Sequence, residues 1–268
     1  MAPSSQELEP PANPGRFTLW EETFSRNEIP LFKCPNCNKG TLALHKTPII
    51  EEPQFSVAAH NHDAWDPEWV SERFILMLKC SIAKCGELVA VSGETSVEQV
   101  DDEEFGYVYE SMLRPKSMYP APHIVQLPTD TPRWVKNELE LAFQIFWADT
   151  GACATKIRTS VERLMDHFGV AKFKRVKTSK TPGKPGKLVR LDLYSRIERF
   201  IANTGSLVHQ DHLHALRVVG NLGTHEGEIS RTHILEAFEV YEHALEELIA
   251  KKSKQISKLA KKLKGAKH

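Results

Sequence analysis

The sequence lacks any run of about eighteen apolar residues, the length a helix needs to cross a bilayer, so no membrane span is expected. Its opening stretch, MAPSSQELEPPANPG, has neither a basic nor an apolar segment, and no secretion signal is expected from it. Cysteine is scarce, with five in 268 residues. Four of the five fall in two close pairs while Cys153 stands alone in a helical pattern, which excludes a secreted disulfide framework and points to a metal site in a reducing compartment, the cytoplasm. Acidic residues are missing altogether from 172–190, and Phe173 is the one aromatic there, so base stacking has little to work with.

What is present suffices for a small module plus one domain of ordinary size, with 41% hydrophobic and 26% charged residues. The formal net charge of zero hides a division. Residues 1–130 hold 20 Asp/Glu against 10 Lys/Arg, and residues 131–268 hold 15 against 25. A basic half favours phosphate-bearing partners through counterion release, or attraction to the acidic half within a chain or across a dimer. One expectation of the second kind is that the acidic stretch at 98–104 shields the basic half.

Cys34-Pro-Asn-Cys37 and Cys80-Ser-Ile-Ala-Lys-Cys85 each place two thiols on a tight turn, with Gly40 and Gly86 just beyond. Four thiolates make a closed tetrahedral shell, so Cys34, Cys37, Cys80 and Cys85 are expected to hold one structural zinc ion with no open position for catalysis. The pairs stand 42 residues apart, against the roughly 15–20 of a compact ribbon. That spacing implies an insertion containing HNHDAWDPEW.

Along the chain, residues 1–16 read as a disordered lead. Residues 17–92 alternate short apolar runs (FTLW, TLALHK, RFILMLKC, ELVAVSG) with turn chemistry and read as a zinc-ribbon module of short strands. Residues 93–130, acidic and then proline-containing, read as an extended connector. Residues 131–250 turn helical: Trp134, Leu141 and Ile145 mark a core-facing helix, and Ile157, Val161, Leu164 and Phe168 mark a second that ends at a glycine. Two more helices and a long last one follow. Between the second and third, FKRVKTSKTPGKPGKLVR contains PGKPG and is expected to be a loop. Residues 251–268 hold eight lysines, with Ile256, Leu259, Ala260 and Leu263 on one face. They form a basic tail continuing the last helix, open to a solvated end, a phosphate-binding arm or a membrane-surface helix. The expected architecture is therefore α+β, a small β zinc ribbon followed by an all-α, up-and-down helical bundle.

The pieces YPAPHIVQLP, ACATKIRTSVERLMDHFGV, KLVRLDLYSRIERF and, most specifically, LRVVGNLGTH lie within residues 119–250. Through them the chain resembles the bacterial domain-of-unknown-function family 4145, whose members often carry an amino-terminal zinc ribbon. That family looks like a branch of the HEPN superfamily, helical bundles that commonly dimerise and include metal-independent ribonucleases of toxin and phage-defence systems. The resemblance implies a HEPN-like bundle, a homodimer, and a catalytic set of Arg217, Asn221 and His225. The histidine would move protons, the arginine would clamp phosphate and the asparagine would orient. Seven residues separate Arg217 from His225 and Val218 follows the arginine, both departures from the ribonuclease pattern. A hydrogen-bonded helix ending is the other reading of Asn221 and His225.

Outside the resemblance, Lys172, Lys174, Arg175, Lys177, Lys180, Lys184, Lys187 and Arg190 form a basic segment suited to a nucleic-acid backbone. The combined expectation is a protein that binds or cleaves RNA. The rival is a non-catalytic accessory subunit of a defence or restriction complex, binding nucleic acid or protein. His209, His212 and His214 are expected to flank helices and not to bind metal, and Cys153 to pack in a core.

Overall fold

In the computed structural model of the chain, the described residues are 17–20, 23–102, 106–176, 186–225 and 229–265. The proposed lead at 1–16 lies outside them. The chain divides into two compact units, Met1–His123 and Ile124–His268. Among the described residues no helix is long and apolar enough to cross a membrane.

The first unit is an antiparallel sheet of β1 (Phe24–Ser25), β2 (Leu42–Leu44), β3 (Ile49–Glu51), β4 (Arg73–Cys80), β5 (Leu88–Asp102) and β6 (Gly106–Tyr119). The order is β1-β6-β5-β4-β2, with β3 also paired to β4. In β4 the alternation is strict: Phe74, Leu76, Leu78 and Cys80 are buried, Arg73, Ile75 and Lys79 exposed, as a strand with one covered face requires. Val89 and Val91 of β5, Leu113 and Met118 of β6, and Phe32, with Trp20 edge-on to it at 5.2 Å, complete the core.

One expectation changes here. The stretch read as a connector is mostly sheet: β5 and β6 pair continuously from Ala90↔Tyr119 to Asp102↔Gly106, with one bulge at Ser92/Gly93. Backbone pairing holds these two strands together, so their outer part needs no long apolar runs. The insertion between the cysteine pairs is also folded, containing β3 and α1 (Gln54–Ala59), with the short turn Pro67–Trp69 capped by Asp66, which accepts the Glu68 N–H at 2.9 Å.

The second unit holds α2 (Arg133–Ile145), α3 (Thr150–His167), β7 (Phe173–Val176), β8 (Lys187–Arg190), α4 (Leu193–Thr204), α5 (Gln210–His225), α6 (Arg231–Leu248) and α7 (Lys252–Gly265). The helix starts follow capping chemistry. Asp149, Asp192 and Ser230 accept backbone N–H groups of Ala152, Ser195 and His233. Glycines at positive φ close α3 (Gly169, φ 70) and α4 (Gly205, φ 68).

On α2 the buried face is not the expected one. Trp134 and Leu141 are exposed, while Val135, Leu139, Ala142 and Phe143 are buried, and Phe143 meets Phe238 of α6 at 5.1 Å. The buried set keeps the four- and three-residue spacing and brings the aromatic ring inward. Ile157, Val161 and Leu164 of α3 are buried as expected, and Cys153 packs in the core with its thiol 3.3 Å from the Ala142 carbonyl.

The segment read as a loop holds a hairpin, β7 pairing with β8 from Phe173↔Arg190 to Val176↔Lys187. The last helix is interrupted, because Lys251 takes a left-handed φ of 53°. Glu247 then accepts the Ser253 N–H at 3.2 Å and its hydroxyl at 2.8 Å, capping α7 as a separate helix with Ile256, Leu259 and Leu263 exposed.

Helices α3 and α5 approach closely because glycines line the contact. A Cβ on Gly223 would collide with the Gly151 carbonyl, and one on Gly220 would collide with the Arg158 side chain. Alanine at Gly223 gains about 1 kcal/mol of helix propensity, but the collision is with backbone that cannot swing away. Gly223→Ala is therefore expected to destabilise the helical unit by about 1–3 kcal/mol, read as a lowered melting temperature; a raised one would show that the helices separate freely.

Candidate functional site

Two regions carry chemistry. The first is the cysteine cluster. Cys34 and Cys37 lie on a turn in which the Cys34 N–H donates to the Gly40 carbonyl at 2.8 Å and the Asn38 N–H to the Cys34 carbonyl at 3.0 Å. Asn38 takes a φ of 53°. Cys80 ends β4, and Cys85 follows on a turn closed by Gly86 at a φ of 61°. The pairing Leu42↔Cys80 brings the two turns together across the sheet.

All four sulfurs lie within 4.8 Å of one another. Sulfurs about 2.3 Å from one tetrahedral ion stand about 3.8 Å apart, and Cys34–Cys85 measures 3.6 Å and Cys37–Cys80 3.8 Å. The Gly40 N–H points at Cys37 Sγ and the Ile82 N–H at Cys80 Sγ, each at 3.4 Å, as thiolates in a metal site receive backbone donors. A side chain at Gly40 would place its Cβ 2.5 Å from Cys80 Sγ, so this position must stay bare. Burial pushes the Cys34 thiol up to about 12, while the Gly40 and Lys39 N–H groups pull Cys37 down to about 6. The donor set and spacing fit a tetrahedral metal ion, with no side chain but cysteine in the set.

The second region is the basic hairpin and its foot. Cross-strand partners share a face, so Phe173, Arg175, Leu188 and Arg190 lie on one side of the hairpin and Lys174, Val176, Lys187 and Val189 on the other. Both faces are exposed, and each carries two cations and two apolar side chains. Lys177, Lys180 and Lys184 lie outside the described residues, as do Glu103 and Glu104 of the acidic stretch.

The hairpin is anchored at its ends. Lys172 Nζ lies 2.8 Å from Asp166, and Arg190 Nη2 lies 3.9 Å from Glu162. Asp166 also accepts from Arg196 of α4 at 2.6 Å and faces Arg163 at 3.7 Å. Burial opposes its ionisation, but the hydrogen bonds from Lys172 and Arg196 prevail and hold its carboxyl below the ordinary range. Sequence reasoning did not find this cluster. Its trace is Arg158, Glu162 and Asp166 at four-residue spacing on α3, which reads as an ordinary solvated face.

The third set of expected residues lies on α5, which runs unbroken from Gln210 to His225 despite Gly220 and Gly223. Arg217, Asn221 and His225 are therefore spaced along one helical face. Arg217 is half-buried, with its guanidinium 5.4 Å from the centre of the Tyr194 ring and Asp192 near enough to feel its charge. Asn221 is half-buried, and the His225 side chain lies outside the described atoms.

Of the other histidines, His214 pairs with Glu198 at 2.8 Å, while His209 and His212 face each other at 5.8 Å and His212 meets His243 at 5.3 Å. Among the described residues only the four cysteines bring three or more ligand atoms together.

Because the Asp166 carboxyl is depressed, its contribution to stability is present above the ordinary carboxylate pKa of about 4 and is lost as pH falls through the lower native value. Asp166→Asn leaves the buried Arg196 short of its partner. It is expected to cost about 3 kcal/mol at pH 6, with the gap to wild type closing below about pH 4 in thermal unfolding. A gap independent of pH would show that the carboxylate charge is not what matters.

No curated protein and no solved structure matches the chain significantly. Residues 22–118 match the model of a domain of unknown function, DUF8608, so the folded first unit extends well past residue 92. Residues 140–265, from the end of α2 through α7, match the model of the domain of unknown function DUF4145.

Proposed function

We propose that this protein binds nucleic acid, RNA by preference, through the β7–β8 hairpin of its helical unit, with a zinc ion holding the sheet unit together. The observation that carries this reading is the hairpin itself: a two-stranded ribbon, exposed on both faces, with cations on each and no acid from 172 to 190. A ribbon of this kind fits along a phosphate backbone and positions without reading sequence. Zinc at Cys34, Cys37, Cys80 and Cys85 would be structural, a closed shell that ties the two turns of a zinc-ribbon-like module.

Three substitutions, Lys174→Gln, Arg175→Gln and Lys187→Gln, are expected together to weaken binding to a single-stranded oligoribonucleotide. They should also flatten the slope of log K against log salt by about two. An unchanged slope would remove the hairpin from the interface. Purified protein is expected to carry one zinc per chain; Cys37→Ser should abolish the stoichiometric metal, and a strong chelator should melt the sheet unit. Full retention of the sheet signal without metal would refute a structural role.

A second reading, metal-independent RNA cleavage by a HEPN-like dimer, is favoured by the continuity of α5. His225 would take the 2′-hydroxyl proton, Arg217 would hold the phosphate and Asn221 would orient the imidazole. Cleavage of mixed RNA in the presence of chelator, lost in His225→Ala, is the expected result. Equal inactivity of both proteins would leave the binding role, alone or as an accessory subunit in a defence complex.

A further inference from the structure

At the foot of the hairpin, between α3 and α4, lies a cavity of about 410 Å³ lined by eight charged side chains together with Leu191 and Leu193. Five cations line it: Arg158, Arg163, Lys172, Arg190 and Arg196. Three carboxylates, Glu162, Asp166 and Asp192, face them, and Glu138 just outside the lining lies 3.5 Å from Arg163, so the site keeps an excess of positive charge. The carboxylates are already shared. Asp166 faces Arg163, Lys172 and Arg196, and Glu162 lies 3.2 Å from Arg158 and 3.9 Å from Arg190.

Two buried donors beside this cavity, closed to solvent as the structure stands, lack an acceptor. Arg196 is 5% exposed, and its terminal nitrogens donate to the Glu162 carbonyl at 3.3 Å, to Asp166 at 2.6 Å and to the Val170 carbonyl at 3.1 Å, but its buried Nε–H has no partner. The buried Nε–H of Arg158 has none either. Buried donors are almost always satisfied, and guanidinium edges pair best with oxyanions. Lys172 and Arg190 at the rim are 53% and 78% exposed, so an incoming group can reach them beside the carboxylates they already pair with.

From this arrangement we propose that the cavity is a socket for a phosphomonoester, the terminal phosphate of a nucleic-acid strand or of a mononucleotide. A phosphomonoester carries about −1.5 to −2 charges near neutral pH and offers three terminal oxygens to the guanidinium groups, whereas an internal phosphodiester carries one charge and must continue on both sides. Arg196 closes the floor, so a strand enters by its end. The link to strands rests on the nucleic-acid reading above; the phosphate chemistry does not.

The test compares 5′-phosphorylated and 5′-hydroxyl oligoribonucleotides of one sequence on the full chain, with AMP titrated separately by calorimetry. The phosphorylated strand is expected to bind about tenfold more tightly, and Arg158→Gln to reduce that ratio below about twofold while weakening AMP by about tenfold. Arg163→Gln, at a more exposed side chain, supplies the same readout if Arg158→Gln does not fold. Equal binding of the two strands together with no saturable AMP binding overturns the socket and leaves hairpin binding standing. Saturable AMP binding with no strand binding supports the socket, identifies mononucleotides as its source and sinks the nucleic-acid reading instead.

Discussion

The helical unit is organised around one carboxylate. Asp166 stands near the end of α3 and is shared by Arg163 of its own helix, Lys172 before β7 and Arg196 in α4, so three parts of the chain converge on a single charge. Its burial would be costly without them, and a 5%-exposed Arg196 would be costlier still without it. The hairpin, a two-stranded ribbon too small to stand alone, takes its position from this anchor and from the Leu191 N–H, which donates to the Lys172 carbonyl at 2.8 Å. Position of the basic surface and integrity of the core are thus one electrostatic problem.

In the sheet unit the corresponding constraint is register. Because Leu42 stands opposite Cys80, the turn before β2 and the turn after β4 face each other, and thiols 43 residues apart come within 3.8 Å. A slip of one residue would send Cys80 to the opposite face along with every apolar residue of β4. The alternation that buries Phe74, Leu76 and Leu78 therefore also aims the ligand.

The parts legible in the sequence were those set by local chemistry. Two cysteine pairs with glycines behind them, the helix ends at Gly169 and Gly205, and the apolar spacing of α3 are patterns in which one short segment contains its own explanation. The parts misread depend on partners distant in sequence. β5 and β6 contain acidic residues and a proline, and only their mutual pairing makes them strands. Trp134 and Leu141 have the spacing of a core face, yet the competing set around Phe143 wins because Phe238 of α6 is there to receive it. The charged pocket was invisible for the same reason: its cations come from α3, both ends of a hairpin and α4.

The glycine contact between α3 and α5 also bears on the charged cavity. With Gly151 against Gly223, the two backbones come closer than intervening side chains would allow. Arg158 sits against Gly220 on one side and lines the charged cavity on the other. A side chain added at Gly220 of α5 would therefore disturb the cavity wall as well as the helix contact, through this one residue.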